Sequence, residues 1–130
     1  MALIVQKFGG TSVADIKRIR NVAERVRKTH DQGNGVVVIL SAMAGMTDRL
    51  IGLANEATAS PDRRELDVLL ATGEQTTAAL LAMMLKGLGY KAQSLLGHQA
   101  EVVTDCEYGN ARILEIGADR IKYLLSDRGI

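Results

Sequence analysis

This sequence of 130 residues has one cysteine, no long apolar run and almost no excess of either charge. Each of these features argues against a particular class of protein. The single cysteine, Cys106, cannot form an internal disulfide, which is consistent with a reducing compartment. The formal net charge is +1, with 16 basic and 15 acidic residues interspersed along the chain, which argues against a general binder of nucleic acids or membrane surfaces. No apolar run approaches the roughly 20 residues of a membrane span, and the first residues lack the basic segment of a secretion signal. We therefore expect a cytoplasmic protein.

Signals for a metal centre or a cysteine nucleophile are equally weak. No His/Cys/Asp cluster has the spacing of metal ligands, so we predict no metal site built by this chain alone. Cys106 has no recognisable partner base, and we expect His30 and His98 to lie at the surface.

The residues that are present predict a single globular unit in which helices and strands alternate. A hydrophobic fraction of 47% is enough for a core in a chain of this length. A stripe at helical spacing is followed by a short, apolar, β-branched run at 36–40, typical of a central parallel strand. The stripe consists of Val13, Ile16, Ile19, Val22, Ala23 and Val26. Further strands are predicted over 90–95, 102–104 and 113–116, and a helix over 118–126.

The first strand ends in a pair of glycines. Residues 3–8 suit a strand covered on both faces, while Gly9 and Gly10 allow a sharp turn that brings backbone N–H groups close to a ligand. Ser12 and an aspartate three residues later fit a capping box, and the start of the following helix would favour an anion. Lys7 adds a positive charge beside the turn. The pattern predicts a phosphate-binding turn, although a tight connection with a surface lysine explains the glycine pair equally well.

A second loop should lie next to this turn. A strand–helix–strand crossover is almost always right-handed and places the two strands in parallel, with their following loops at one edge of the sheet. The second loop, 41–47, carries the hydroxyls of Ser41 and Thr47. Capping preferences alone favour Thr47 or Asp48 as a helix cap and Ser41 as a turn residue.

A glycine and a glutamate interrupt the helical pattern farther along. An isolated glycine costs about 1 kcal/mol relative to alanine in a helix, so Gly73 predicts either a break or a close backbone approach. Glu74, which follows it, could be no more than an acid in the first turn of a new helix.

Three segments together resemble a known family. Residues 5–13, Val-Gln-Lys-Phe-Gly-Gly-Thr-Ser-Val, closely resemble the opening signature of aspartate kinases within the amino acid kinase family. Residues 40–50 and 65–75 resemble that family's second and third segments, in family order and spacing. The similarity continues through Gly-His-Gln-Ala at 97–100 and Gly-Asn-Ala-Arg-Ile at 109–113 and covers nearly the whole chain.

The resemblance implies a fold and a set of site residues. The fold would be an α/β, three-layer αβα arrangement with a mostly parallel sheet, of which this chain forms only the N-terminal half. Lys7 would act in catalysis and, with the turn residues, bind the phosphates of ATP. Substrate contacts would come from Ser41 and Thr47, and Glu74 would hold the substrate's ammonium group. The implied phosphate-binding set is Lys7, Gly9, Gly10, Thr11 and Ser12.

The implied reaction is transfer of the γ-phosphoryl group of ATP to the side-chain carboxylate of L-aspartate, which feeds lysine, threonine and methionine synthesis. A carboxylate with a reference pKa of about 3.9 is already ionised at neutral pH, so the chemistry needs no general base. The resemblance also implies Mg²⁺, and small-molecule partners rather than a nucleic acid or a membrane.

The resemblance further implies that the chain is incomplete. The family's kinase domain is about twice as long; its second half carries a Gly-Arg-Gly-Gly-Ser-Asp segment, and the regulatory ACT domains that usually follow are absent. We therefore expect residues 1–130 to be an N-terminal portion of such a domain, nearly inactive alone, and to associate with the rest of the kinase or with another copy. Two alternatives stay open: a relative acting on glutamate, carbamate or a nucleotide, and a non-catalytic module that binds anions or associates with a partner.

Overall fold

A strand, a helix and a second strand form the first unit of the fold. The computed structural model describes residues 2–130. In chain order the elements are β1 (Leu3–Phe8), a 3-10 turn (Gly10–Val13), α1 (Ile16–Asp31), β2 (Gly35–Leu40), α2 (Met46–Ala57), α3 (Arg63–Gly87), β3 (Val102–Thr104), β4 (Ile113–Ile116) and α4 (Asp119–Ser126).

β1 and β2 are parallel neighbours, as the sequence predicts. Their register runs from Leu3 opposite Gly35 to Phe8 opposite Leu40. The Ser41 N–H donates to the carbonyl of Phe8 at 3.1 Å, so the pairing continues one residue beyond the strand. The loops that follow the two strands therefore start side by side, which confirms that part of the prediction.

The core lies on one face of this strand pair. Four of the six predicted stripe residues, Ile19, Val22, Ala23 and Val26, form the buried side of α1. They pack in one cluster with Val36 of β2 and with Leu81 and Leu85 of α3. Full burial of one such aliphatic side chain is worth about 1.5–3 kcal/mol, so this cluster is the main stabilising contact of the unit.

The opposite face of the strand pair is largely uncovered. Leu3 and Val5 are 60% and 58% exposed, and Ile39 of β2 is 49% exposed. The prediction that β1 is covered on both faces is therefore wrong for the described residues. The reason is that α1 and α3 both pack on the Phe8 side, whereas α4 reaches the other side only beside Gly35, through Leu125.

The start of α1 differs from the predicted capping box. Asp15 is the N-cap, and its carboxylate accepts a hydrogen bond from the Arg18 N–H at 2.8 Å. Ser12 lies earlier, in the 3-10 turn, where its N–H donates to the Gly9 carbonyl at 3.0 Å. Ser12 is thus not the cap. The Asp15 carboxylate thus supplies the acceptor for one N–H of the first turn of α1, that of Arg18.

α3 is one continuous helix of 25 residues and does not break at Gly73. The buried hydroxyl of Thr77 donates to the Gly73 carbonyl at 3.2 Å, one turn back along the helix. Of the two readings of Gly73, the break is wrong and the close backbone approach is correct, because an added Cβ would lie 2.9 Å from the Cβ of Ala42.

α3 is also the one described helix that is long and apolar enough to cross a membrane by length and composition alone. Its most apolar window has a mean hydropathy of 1.4, and 22% of that window is buried. In this structure α3 packs against α1 and α2 and shares the main core, as a core helix of a folded domain does.

The C-terminal third matches the prediction at its two short strands and, to within one residue, at its helix, but not at residues 90–95. β3 and β4 form an antiparallel pair, and α4 begins one residue after the predicted start. The predicted strand over 90–95 is wrong: residues 90–96 lie outside any strand. Two backbone hydrogen bonds join this segment to Ile130. Its carbonyl accepts from the Gln93 N–H at 2.9 Å, and its N–H donates to the Lys91 carbonyl at 2.8 Å. One facing residue is too short a partner to make a strand.

The segment after α3 is tied to the end of α1. The Tyr90 hydroxyl donates to the Asp31 carboxylate at 2.7 Å, and this hydrogen bond raises the pKa of the tyrosine. The ring of His30 meets that of Tyr90 edge to face, with centroids 5.4 Å apart. These contacts hold residue 90 at the end of the sheet opposite the two loops.

We expect Asp15, the N-cap of α1, to contribute more to the free energy of unfolding than Ser12 does. Replacing Asp15 by alanine should lower the free energy of unfolding by about 1 kcal/mol, because the Arg18 N–H loses its acceptor. Asp15→Asn keeps an acceptor and serves as the matched control. The measurement is urea-induced unfolding followed by circular dichroism, and a larger loss for Ser12→Ala than for Asp15→Ala would contradict the observed cap.

Candidate active site

Three segments meet at the edge of the sheet where β1 and β2 end. They are the 3-10 turn after β1, the loop 41–45 after β2, and the middle of α3 around Glu74. A direct bond joins two of them: the Ala42 N–H donates to Oε1 of Glu74 at 3.3 Å. The carboxyl edge of parallel strands is the usual position of ligand sites in α/β folds, so this edge is the candidate active site.

The first loop presents open backbone next to a tight contact. Gly9 has φ −78° and ψ 170°, a conformation open to any residue, and a Cβ added there would meet nothing within 4 Å. The loop therefore borders free space at Gly9. A Cβ added to Gly10 would lie 3.2 Å from the Ala42 carbonyl oxygen, so glycine at position 10 lets the two loops approach closely. Thr11 and Ser12 are both exposed.

Lys7 points away from the helices. Side chains alternate along a strand, so Lys7 lies on the face that carries Leu3 and Val5, opposite the face where α3 packs beside Phe8. Within residues 2–130 the ammonium has neither an ion-pair nor a hydrogen-bond partner. The structure therefore brings Lys7 to the loop edge through its backbone and leaves its charge in solvent on the uncovered face.

The second loop leads into α2 through a left-handed glycine. Gly45, with φ 77°, occupies the N-cap position of α2 and offers no side chain as a cap. The reading of Thr47 or Asp48 as the cap is therefore wrong. Thr47 is exposed in the first turn, so its hydroxyl is accessible, and Ser41 is half-buried directly after β2.

Glu74 is the predicted site residue that the structure brings closest to the second loop. It is exposed, and its bond to the Ala42 N–H holds the carboxylate one residue from Ser41. Ser41 and Glu74 are thus brought close through Ala42, whereas Lys7 reaches the same end of the strands from the other face of the sheet.

Ala42 is a residue at this edge that sequence reasoning missed, whereas Gly73 was singled out without its partner. Ala42 is 5% exposed and lies between the first loop and α3. The interrupted helical pattern at Gly73 was the available signal, but the partner of its close approach could not be read from the sequence.

No ready-made metal centre exists among residues 2–130. Within that range no group of three His, Cys, Asp or Glu side chains is arranged to hold an ion. These residues therefore do not fit a protein-bound Mg²⁺ site, and no step of a mechanism can be assigned to such an ion here.

A wide apolar groove opens beside Glu74. It has a volume of 670 Å³ and runs between β2, the Glu74 side of α3, the segment 92–97 and the β3–β4 pair. Aliphatic side chains supply most of its lining, including Val36, Leu81, Leu95, Ile113 and Ile121. A large apolar surface on a small protein usually marks a contact with another protein segment.

Comparisons with known proteins agree with this arrangement. Aspartokinase of Geobacillus stearothermophilus is 52% identical over 130 residues, which are 100% of this chain and 32% of that protein. Aspartate kinase Ask_LysC of Stutzerimonas stutzeri is 54% identical over 122 residues, 94% of this chain and 30% of that protein. The chain thus spans about a third of the length of these curated relatives and matches their N-terminal part.

Solved structures give the same result. The crystal structure of aspartate kinase from Synechocystis superposes with a TM-score of 0.68 at 48% identity, over 72% of this chain and 16% of that chain. E. coli aspartokinase III, in complex with aspartate and ADP, superposes with a TM-score of 0.72 over 87% of this chain and 35% of that chain. Its identity of 22% supports the fold alone.

The predicted α/β fold class with a parallel sheet is confirmed by the parallel β1–β2 pair and by these structural neighbours. The model of the amino acid kinase family matches residues 2–130. Because that match extends over nearly the whole sequence, the chain belongs to the amino acid kinase family.

Proposed function

We propose that this chain is the N-terminal part of an aspartate kinase catalytic domain. The reaction is transfer of the γ-phosphoryl group of ATP to the side-chain carboxylate of L-aspartate, giving 4-phospho-L-aspartate and ADP. The observation that carries the proposal is the 52% identity to an aspartokinase over the entire chain, with the three matching segments gathered at one sheet edge. The product would enter lysine, threonine and methionine synthesis, and the protein would act in the cytoplasm.

The proposed residue roles follow from the charges of the two substrates. The attacking carboxylate is already ionised, so the site must position two anions and offset their repulsion. Glu74 would bind the ammonium group of aspartate, and the hydroxyls of Ser41 and Thr47 would orient the substrate. The exposed Glu74 carboxylate beside the Ser41 loop supports this assignment.

The phosphates would lie at the first loop. Lys7 is a charge without a protein partner in the described chain, and the open space beside Gly9 lets an oxygen approach the backbone. Because Lys7 leaves the sheet on the uncovered face, we infer that ATP approaches from that face and aspartate from the α3 side. Gly10, Thr11 and Ser12 would complete the phosphate contacts.

The proposed reaction also requires a nucleotide and a metal ion. ATP and aspartate are proposed as substrates on the 52% identity to an aspartokinase over the whole chain. Mg²⁺ supplies charge neutralisation to phosphoryl transfer in general, and the phosphates of ATP would be among its ligands.

The apolar groove supports the proposal that this chain is incomplete as a catalyst. It opens next to Glu74 and borders β2, whose edge away from β1 has no paired strand in the described range. We propose that the remaining part of the kinase covers it, or that a second copy does so. A non-catalytic association module is the second candidate function, favoured by the same groove.

A chimera tests the proposed function directly. This chain would replace the matching 32% of the G. stearothermophilus aspartokinase, and acyl phosphate would be trapped with hydroxylamine. We expect activity that depends on both ATP and aspartate, with the isolated chain at least about a hundredfold slower because part of the site is missing. A folded chimera that accepts glutamate in preference to aspartate, or that makes no acyl phosphate, would contradict the proposal.

Removing the lysine charge should slow catalysis. In the chimera, Lys7→Ala is expected to lower kcat by about 10²–10³, the usual cost of deleting one preorganised electrostatic group. Lys17→Ala, which removes an exposed lysine on α1, is the matched control. Turnover of the Lys7 variant within a few-fold of the control would exclude the lysine from the reaction.

Neutralising the glutamate should weaken aspartate binding. Glu74→Gln is expected to raise KM for aspartate by about tenfold or more while KM for ATP stays within about twofold, because only the ammonium contact is lost. Glu56→Gln, at the exposed end of α2, is the control. The opposite pattern, a change confined to ATP, would assign Glu74 to the nucleotide.

A further inference from the structure

We propose that the contact between Gly73 and Ala42 is the spacer that sets the distance from Glu74 to the Ser41 loop. Both would be positioning residues for the amino-acid substrate. The inference rests on the proposed function, since it takes Glu74 and Ser41 as substrate contacts.

The backbone at Gly73 does not explain why a glycine stands there. Gly73 lies inside α3, where alanine would be about 1 kcal/mol more favourable, and its φ is not positive. The surroundings do explain it. A Cβ at position 73 would lie 2.9 Å from the Cβ of Ala42 and 3.4 Å from Cγ of Met46. Carbon atoms pack best at about 3.5–4.0 Å, so a methyl group would push the helix and the loop apart.

Ala42 has little room to move away from such a methyl group. Gly10 approaches its carbonyl from the first loop, where an added Cβ would be 3.2 Å away. The preceding residue is held by the bond from the Ser41 N–H to the Phe8 carbonyl. Because the loop is fixed on that side, the displacement should fall mainly on α3.

Glu74 would move with the helix. Its bond to the Ala42 N–H measures 3.3 Å, already at the long end of the usual range, so a further shift would break it. The carboxylate would then lie farther from Ser41. Misplacement of a binding group by about 1 Å can cost about a hundredfold in rate, which makes the spacing a functional quantity.

A swap of one methyl group tests the spacer in the chimera. Gly73→Ala should raise KM for aspartate by about tenfold or more, with KM for ATP within about twofold. Adding Ala42→Gly removes the methyl group that the new one meets, so the double variant should return KM for aspartate to within about threefold of the parent. A Gly73→Ala enzyme with parental KM, or a double variant no better than Gly73→Ala, would overturn the inference.

Thermal unfolding gives a readout that does not depend on activity. In the parent, Ala42→Gly should lower the melting temperature, because it removes a buried methyl group. In the Gly73→Ala variant the same change should raise it, because the two methyl groups at positions 42 and 73 no longer collide. If Gly73→Ala fails to fold, the double variant must still fold. Melting temperatures that change additively would overturn the spacer. A parent chimera with no aspartate-dependent activity but with this reversal would instead overturn the proposed function and leave the steric contact standing.

Discussion

The parallel pairing of β1 with β2 is the constraint on which the rest of the structure depends. It fixes Phe8 beside Leu40, so the backbone of both strands ends at the same level and the two loops begin in contact. The positions of both loops at the candidate site depend on this alignment. A shift of the pairing by one residue would turn Lys7 towards the core and remove the Phe8 acceptor from Ser41.

The pairing is in turn supported by burial on one side only. α1 and α3 cover the Phe8 face with aliphatic side chains, and this asymmetric covering separates the two halves of the candidate site. The carboxylate of Glu74 belongs to the helical side, and the ammonium of Lys7 to the open side. Two groups of opposite charge thus approach one edge without neutralising each other, so each stays free to bind a group of the opposite sign.

Periodicity and local chemistry were enough to predict much of this. The buried stripe of α1 follows from a period of 3.6 residues, β2 from a continuous β-branched apolar run, and the meeting of the loops after β1 and β2 from the handedness of a crossover. The cap of α1 was missed because Ser12 and Asp15 both have capping side chains, and only the 3-10 turn shows which one is adjacent to the helix. The predicted strand at 90–95 failed because strand formation depends on a partner, and the sequence does not state where that partner lies.

The site was predictable to a smaller extent. The motif residues could be named from the sequence. The face of the sheet on which the Lys7 side chain lies, however, depends on the alternation of side chains along β1. The role of Gly73 depends on Ala42, a residue 31 positions earlier. A steric contact of this kind has no local signature beyond the glycine itself. Whether the named residues bind their ligands remains a prediction.

The unpaired edge of β2 affects the tendency of the polypeptide to aggregate. Residues 35–40, Gly-Val-Val-Val-Ile-Leu, are uncharged, contain no proline and favour extended structure, and their second edge has no strand beside it in the described range. Such a segment is a template for intermolecular β-stacking and fibrous aggregation. During synthesis this edge leaves the ribosome before any later strand exists, and for that interval it is open to pairing with other chains.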